Sequence, residues 1–224
     1  MSDGILAWDV TIPEVQRSSM GARPRGTLSL ITSDRGEESF TLPLAVARSL
    51  KASHDADELH PESRAELLWI VKDRSLRCAA LRMERLVDKR DYSSQELSNK
   101  LRQDGYSEQV REEVVARAVD SGIVDDARYA DIFVRTKISS GWGINRIEAE
   151  LNRRGVDATL LEGWPEAYFS DTSEEERALE LARTRRISEK NGYEKLVRFL
   201  CGRGYTLAVS YRVARQVIDE RTID

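Results

Sequence analysis

The chemistry this chain can offer is carried by its basic side chains. Arg183, Arg185, Arg186 and Lys190 are followed by Lys195, Arg198, Arg203, Arg212 and Arg215. Residues 183–215 hold nine basic and two acidic side chains, a net of +7, in a chain whose overall charge is −4. Cations without neighbouring acids suit a phosphate backbone or an acidic protein groove. A solvated face paired with acids from elsewhere accounts for the same composition. Arg153 and Arg154, just before Gly155, extend the basic set. Trp142, after Gly141 in an interhelix turn, is an aromatic candidate for a partner contact.

Other chemistry is thinly supplied. The two histidines, His54 and His60, lie in or beside an acidic stretch, far in sequence from Cys78 and Cys201. No His, Cys or carboxylate spacing points to a metal, and no nucleophile has a base nearby. Ser140-Gly141-Trp142-Gly143 lacks the Lys-Ser/Thr of a phosphate loop. The pairs Glu148/Glu150 and Asp125/Asp126 fit solvated faces and helix caps better than acid–base catalysis. The expectation is a non-enzyme with no catalytic residues, no metal and no cofactor. The isolated cysteines fit small packing residues in a reducing cytoplasm, and the tryptophans at 69, 142 and 164 fit packing before base stacking.

The elements that position these residues follow from a pattern that occurs three times. Leu97, Leu101, Gly105, Tyr106 and Ser107 form the first copy. Ile147, Leu151, Gly155, Val156 and Asp157 form the second, 50 residues on. Leu196, Leu200, Gly204, Tyr205 and Thr206 form the third, after a further 49. Two apolar residues four apart share one helix face. The glycine suits the left-handed residue just past a helix end. The next residue then contacts the second apolar one across the cap, and Ser, Asp or Thr opens a new helix. Three copies at near-equal spacing indicate an internal repeat.

Capping boxes Ser93/Glu96 and Ser173/Glu176 start further helices. Helical periodicity over about 61–89, with Pro61 at its first position, allows one long helix or two broken near Ser75. Val110, Val114, Val115 and Ala118 should face inward, as should Tyr129, Ile132, Phe133 and Thr136. Gly163 and Pro165 should shorten the helix after Asp157, and Gly192 should break the chain before Lys195. Near the N-terminus, 1–26 reads as an irregular arm, 27–31 and 38–42 as a β-hairpin turned by Ser33 to Gly36, and 43–51 as a short helix. The expected domains are 1–60, an arm with the hairpin, then helical repeats 61–124, 125–170 and 171–224. The fold class is mainly α, three tandem three-helix repeats in an elongated curved arrangement. No secretion signal and no membrane-spanning apolar run is read in the sequence.

Tyr92-Ser93-x-x-Glu96-Leu97-x3-Leu101-x3-Gly105-Tyr106, Gly122-x-x-Asp125-Asp126-x-x-Tyr129-Ala130, Gly143-x3-Ile147-x-x-Glu150-Leu151-x-x-Arg154-Gly155-Val156 and Leu200-x-x-Arg203-Gly204-Tyr205 together resemble the RecX family over about 66–217. The segment before them is similar to the N-terminal extension of longer members. Asp104 stands where the family usually has Lys or Arg. The resemblance implies a non-enzymatic cytoplasmic protein that binds the groove of the RecA–DNA filament. It would restrain recombinase activity, ATP hydrolysis and the SOS response. The partners implied are the RecA filament and, through the basic third repeat, single- or double-stranded DNA. A monomer without membrane contact is expected. A helical DNA- or RNA-binding regulator acting independently of RecA is the alternative.

Overall fold

The computed structural model describes residues 4–14, 23–169, 172–188 and 190–223. The chain divides into two compact units, Met1–Val124 and Asp125–Asp224.

The first unit opens with an antiparallel sheet in the order β1 (Ile5–Thr11), β2 (Arg25–Thr32), β3 (Gly36–Pro43). The expected hairpin is present, with Leu28 opposite Phe40 and Leu30 opposite Glu38. Val10, Leu28, Leu30 and Leu42 are buried, and helix α1 (Leu44–Asp55) packs on β1 and β2 through Val46, Ala47 and Leu50. The expectation of an irregular arm over 1–26 is corrected by β1. Val10 is the only residue of this edge strand to reach full burial, so its alternation is faint in the sequence. The remainder of that arm at 15–22 lies outside the described residues.

Helix α2 (Arg64–Val87) runs unbroken, with Ser75 donating its hydroxyl to the Val71 carbonyl at 2.7 Å. Such a bond lets serine sit inside a helix. Its N-cap is Ser63, which accepts from the Glu66 amide; Pro61 lies outside the helix, not at its first position. Helices α3 (Ser94–Asp104) and α4 (Glu108–Asp120) complete the first three-helix repeat. Its core includes Leu67, Met83, Leu97, Leu101, Val110 and Val114; Val115 packs at the edge.

The second unit holds α5 (Asp126–Ser139), α6 (Ile144–Arg153), a 3-10 turn (Ala158–Leu160) and α7 (Glu166–Phe169). It continues with α8 (Glu174–Arg183), α9 (Gly192–Gly202) and α10 (Leu207–Ile223). Gly163 and Pro165 stand between the 3-10 turn and the one-turn α7, as their helix-breaking chemistry requires. Ile132 does not face inward; it is 47% exposed, while Tyr129, Ala130, Phe133 and Val134 form the buried face. Thr136 is likewise exposed, its hydroxyl bonded to the Ile132 carbonyl. Gly192 does not break the chain but begins α9, after Asn191 in a left-handed conformation.

All three patterned turns close in the same way. Gly105, Gly155 and Gly204 have φ of 96°, 72° and 93°. The following amides, of Tyr106, Val156 and Tyr205, donate to the carbonyls of Leu101, Leu151 and Leu200 at 3.1, 3.0 and 3.2 Å. The glycine amides donate to Arg102, Asn152 and Cys201. Both bonds of the Schellman cap are therefore made in every copy.

Candidate functional site

The cap of the third repeat also joins it to the second. The Gly143 amide donates to the Arg203 carbonyl at 2.8 Å. Arg146 donates to the Gly202 carbonyl at 2.7 Å, Arg203 to that of Ser140 at 2.9 Å, and Arg177 to that of Trp142 at 3.0 Å. Arg146 and Arg203 thus satisfy helix-end carbonyls, which carry partial negative charge, and Arg177 holds the turn between α5 and α6. Trp142 is half-buried in this seam, with the Arg146 guanidinium 3.8 Å over its ring, Lys137 at 5.0 Å and Phe133 edge-on at 6.3 Å. The other tryptophans differ: Trp164 packs on Tyr168 and Phe169 and donates to Glu148, whereas Trp69 is 67% exposed rather than packed.

The basic residues separate into those occupied within the fold and those open to solvent. Glu150 accepts from Arg153 at 2.8 Å and from Arg154 at 2.9 Å. These bonds, that of Arg153 first, pull its carboxyl down to about 2 against the opposing effect of burial. Arg154 also donates to the Tyr129 hydroxyl at 2.6 Å and lies 4.8 Å over Phe133, so it braces the core of the second repeat. Arg183 pairs with Glu220 at 2.6 Å and Arg212 with Glu175 at 2.8 Å. Each hydrogen bond lowers the carboxyl and raises the guanidinium. Arg185 lies 4.1 Å over Phe199 with Arg203 5.2 Å from the same ring, and Lys195 donates to Ser188. The acids scarce within 183–215 are supplied from α8 and the end of α10.

Arg186, Lys190, Arg198 and Arg215 remain exposed, with no ion pair among the described residues. Sequence reasoning passed over the residues beside them. Tyr193 stacks on Tyr211 with ring centres 6.3 Å apart, and Tyr211 is 47% exposed. Val209, Val213 and Val217 occupy the buried face of α10. Leu207, Tyr211 and Arg215, spaced by four, therefore form an outward stripe. The spacing was the available signal, since the valines claim the opposite face. An exposed aromatic one turn from an exposed guanidinium can stack on a base or anchor a protein contact.

The other candidate chemistry is dispersed. The His54 ring packs edge-on against Trp8 at 4.5 Å, and a His60 ring nitrogen lies 3.0 Å from the Asp57 carbonyl. Cys78 and Cys201 are free and half-buried. No cluster of His, Cys, Asp and Glu able to hold a metal occurs among the described residues. Nor is any helix among them long and apolar enough to cross a membrane.

Residues 81–117 match the family model described as RecX, first three-helix domain, and 125–162 the one described as RecX, second three-helix domain. The regulatory protein RecX of Mycobacterium sp. (strain KMS) is 34% identical over 139 residues, 58% of this chain and 75% of that protein. That of Amycolatopsis mediterranei is 28% identical over 141 residues, 60% of this chain and 80% of that protein. Among solved structures, a crystal structure of regulatory protein RecX covers 95% of this chain and all of its own, with a TM-score of 0.52 at 16% identity. RecX from Lactobacillus salivarius covers 64% of this chain and 96% of its own, with a TM-score of 0.50 at 20% identity. These last two likenesses concern the fold.

Proposed function

This chain belongs to the RecX family, and from that premise we propose that it is a non-enzymatic cytoplasmic regulator that binds RecA on DNA and restrains it. The observation that carries the proposal is the family's capped three-helix unit, present here with the Schellman bonds intact in each copy. Such units bury one face against each other and leave the opposite one for a partner. On the third repeat Leu207, Tyr211 and Arg215 are exposed on α10, Arg198 is exposed on α9, and Arg186 and Lys190 are exposed before it. Their contacts would be to phosphate or to acidic groups of the filament, supplemented by the aromatic ring. Arg153, Arg154, Arg183, Arg203 and Arg212 contribute mainly by holding the repeats in shape. Trp142 does the same at the seam.

Strand exchange and ATP hydrolysis by RecA, measured with the full chain titrated in, test the reading. Inhibition of both at concentrations comparable to RecA supports it, and unaltered rates at a large excess refute it. A second reading, nucleic-acid binding without RecA, is favoured by the Tyr193–Tyr211 stack one helical turn before the exposed Arg215. Equal affinity for naked single-stranded DNA and for RecA-coated DNA would select it.

A further inference from the structure

We propose that a cavity in the first unit binds a nucleoside phosphate, either a free nucleotide or the phosphorylated end of a strand. It is a site separate from the surface discussed above, and neither reading depends on the other. The cavity has a volume of about 440 Å³, within the range of small-ligand sites. One wall comes from α2, where Cys78, Leu81, Arg82 and Arg85 recur on one face. A second is the first turn of α1 with Arg48, and a third is the end of α3 with the turn after it, carrying Asp104 and Tyr106.

Charge in the cavity is unbalanced. Asp104 takes ion pairs from both Arg23 and Arg82. That leaves Arg48 and Arg85, both exposed, with no anionic partner among the described residues. Helix α1 adds to the imbalance. Pro43 stands at its N-cap, no side chain caps the first turn, and that turn holds no acidic residue. Its free amides and partial positive charge favour an anion. Two guanidiniums and a helix end converging on one space are the usual elements of a phosphate site.

The rest of the cavity calls for a flat body. Leu81 is 52% exposed here, beside Pro43 and Ala45. Tyr106 is 5% exposed and lines the cavity. Burial pushes that phenol up to about 12, so it stays a hydrogen-bond donor near neutrality. A phenol hydroxyl on the cavity wall can donate to a base edge. Inorganic phosphate alone would leave the apolar wall and Tyr106 unused.

Calorimetric titration of the full chain with ADP tests the site, with adenosine and inorganic phosphate as comparators. ADP should saturate one site and bind at least about tenfold more tightly than either comparator. Arg48→Ala with Arg85→Ala should weaken ADP by at least about tenfold at unchanged melting temperature, because both side chains are exposed. Tyr106→Phe should weaken it severalfold without unfolding. A 5′-phosphorylated oligonucleotide that displaces ADP, where its 5′-hydroxyl counterpart does not, identifies a strand end as the source. ADP binding without that displacement identifies a free nucleotide. No saturation with millimolar ADP, or full binding by the double variant, overturns the proposal.

Discussion

Gly143 and Gly204 meet backbone to backbone where the second and third repeats join. A Cβ added to Gly143 would lie 2.5 Å from the Gly204 carbonyl oxygen, and one added to Gly204 would lie 2.5 Å from the Arg146 amide nitrogen. Neither neighbour is a flexible side chain that could swing away. The glycine that closes a helix by its left-handed conformation is also the one that lets two repeats touch.

Gly204→Ala should therefore destabilise by about 2–4 kcal/mol, adding a backbone clash to the left-handed strain. Gly122 gives the reference. It also has positive φ, 71°, but nothing lies within 4 Å of an added Cβ. Gly122→Ala should cost only about 1 kcal/mol. Urea unfolding of the two variants checks this; equal losses would show that the close approach carries no weight.

Gly155→Val places a β-branched residue at φ 72° in the second cap. The expected loss is about 1–2 kcal/mol or more. Partner binding should fall only in proportion to the unfolded fraction. A variant with the wild-type melting temperature and no binding would make Gly155 a contact residue instead.

Glu150 links stability to pH. Its carboxyl is held at about 2 in the fold, below the ordinary 4.5. A lowered folded value means the contribution is complete above the unfolded value and disappears as pH falls through the folded one. Glu150→Gln should cost about 1–2 kcal/mol at neutral pH, discounted because Arg153 is largely exposed to solvent. The difference from wild type should shrink steadily between about pH 4.5 and pH 2. Unfolding curves at pH 7, 4 and 3 report it, and a constant difference would place the effect in packing.

How much of this was legible in the sequence depended on how local the cause was. The caps were, because a left-handed glycine with an apolar residue four positions before it and another just after it is a requirement of a few nearby positions. Strand β1 was not, because Val10 is its one fully buried residue and Ile5 and Trp8 are only partly covered. Ile132 was misplaced because Tyr129, Ala130, Phe133 and Val134 define a narrower buried stripe than the apolar residues suggest. The basic set was legible as composition but not as surface. Arg183 and Arg212 each meet a glutamate 37 positions away, and no window around them contains it. The four exposed cations without an ion pair among the described residues, and the Tyr211 stripe, emerge only once those pairs are set aside.

Co-sedimentation with RecA filaments assembled on single-stranded DNA measures the central claim. We compare the wild type, the exposed triple reversal Arg186→Glu, Arg198→Glu and Arg215→Glu, and Glu37→Lys in the N-terminal sheet as a charge control. The wild type should pellet with filaments and be released as salt rises, since screening and counterion binding weaken such contacts. The triple variant should melt normally and bind at least about tenfold more weakly, while Glu37→Lys binds as the wild type does. A wild type that stays in the supernatant at every salt concentration, while the filaments pellet, would contradict the account.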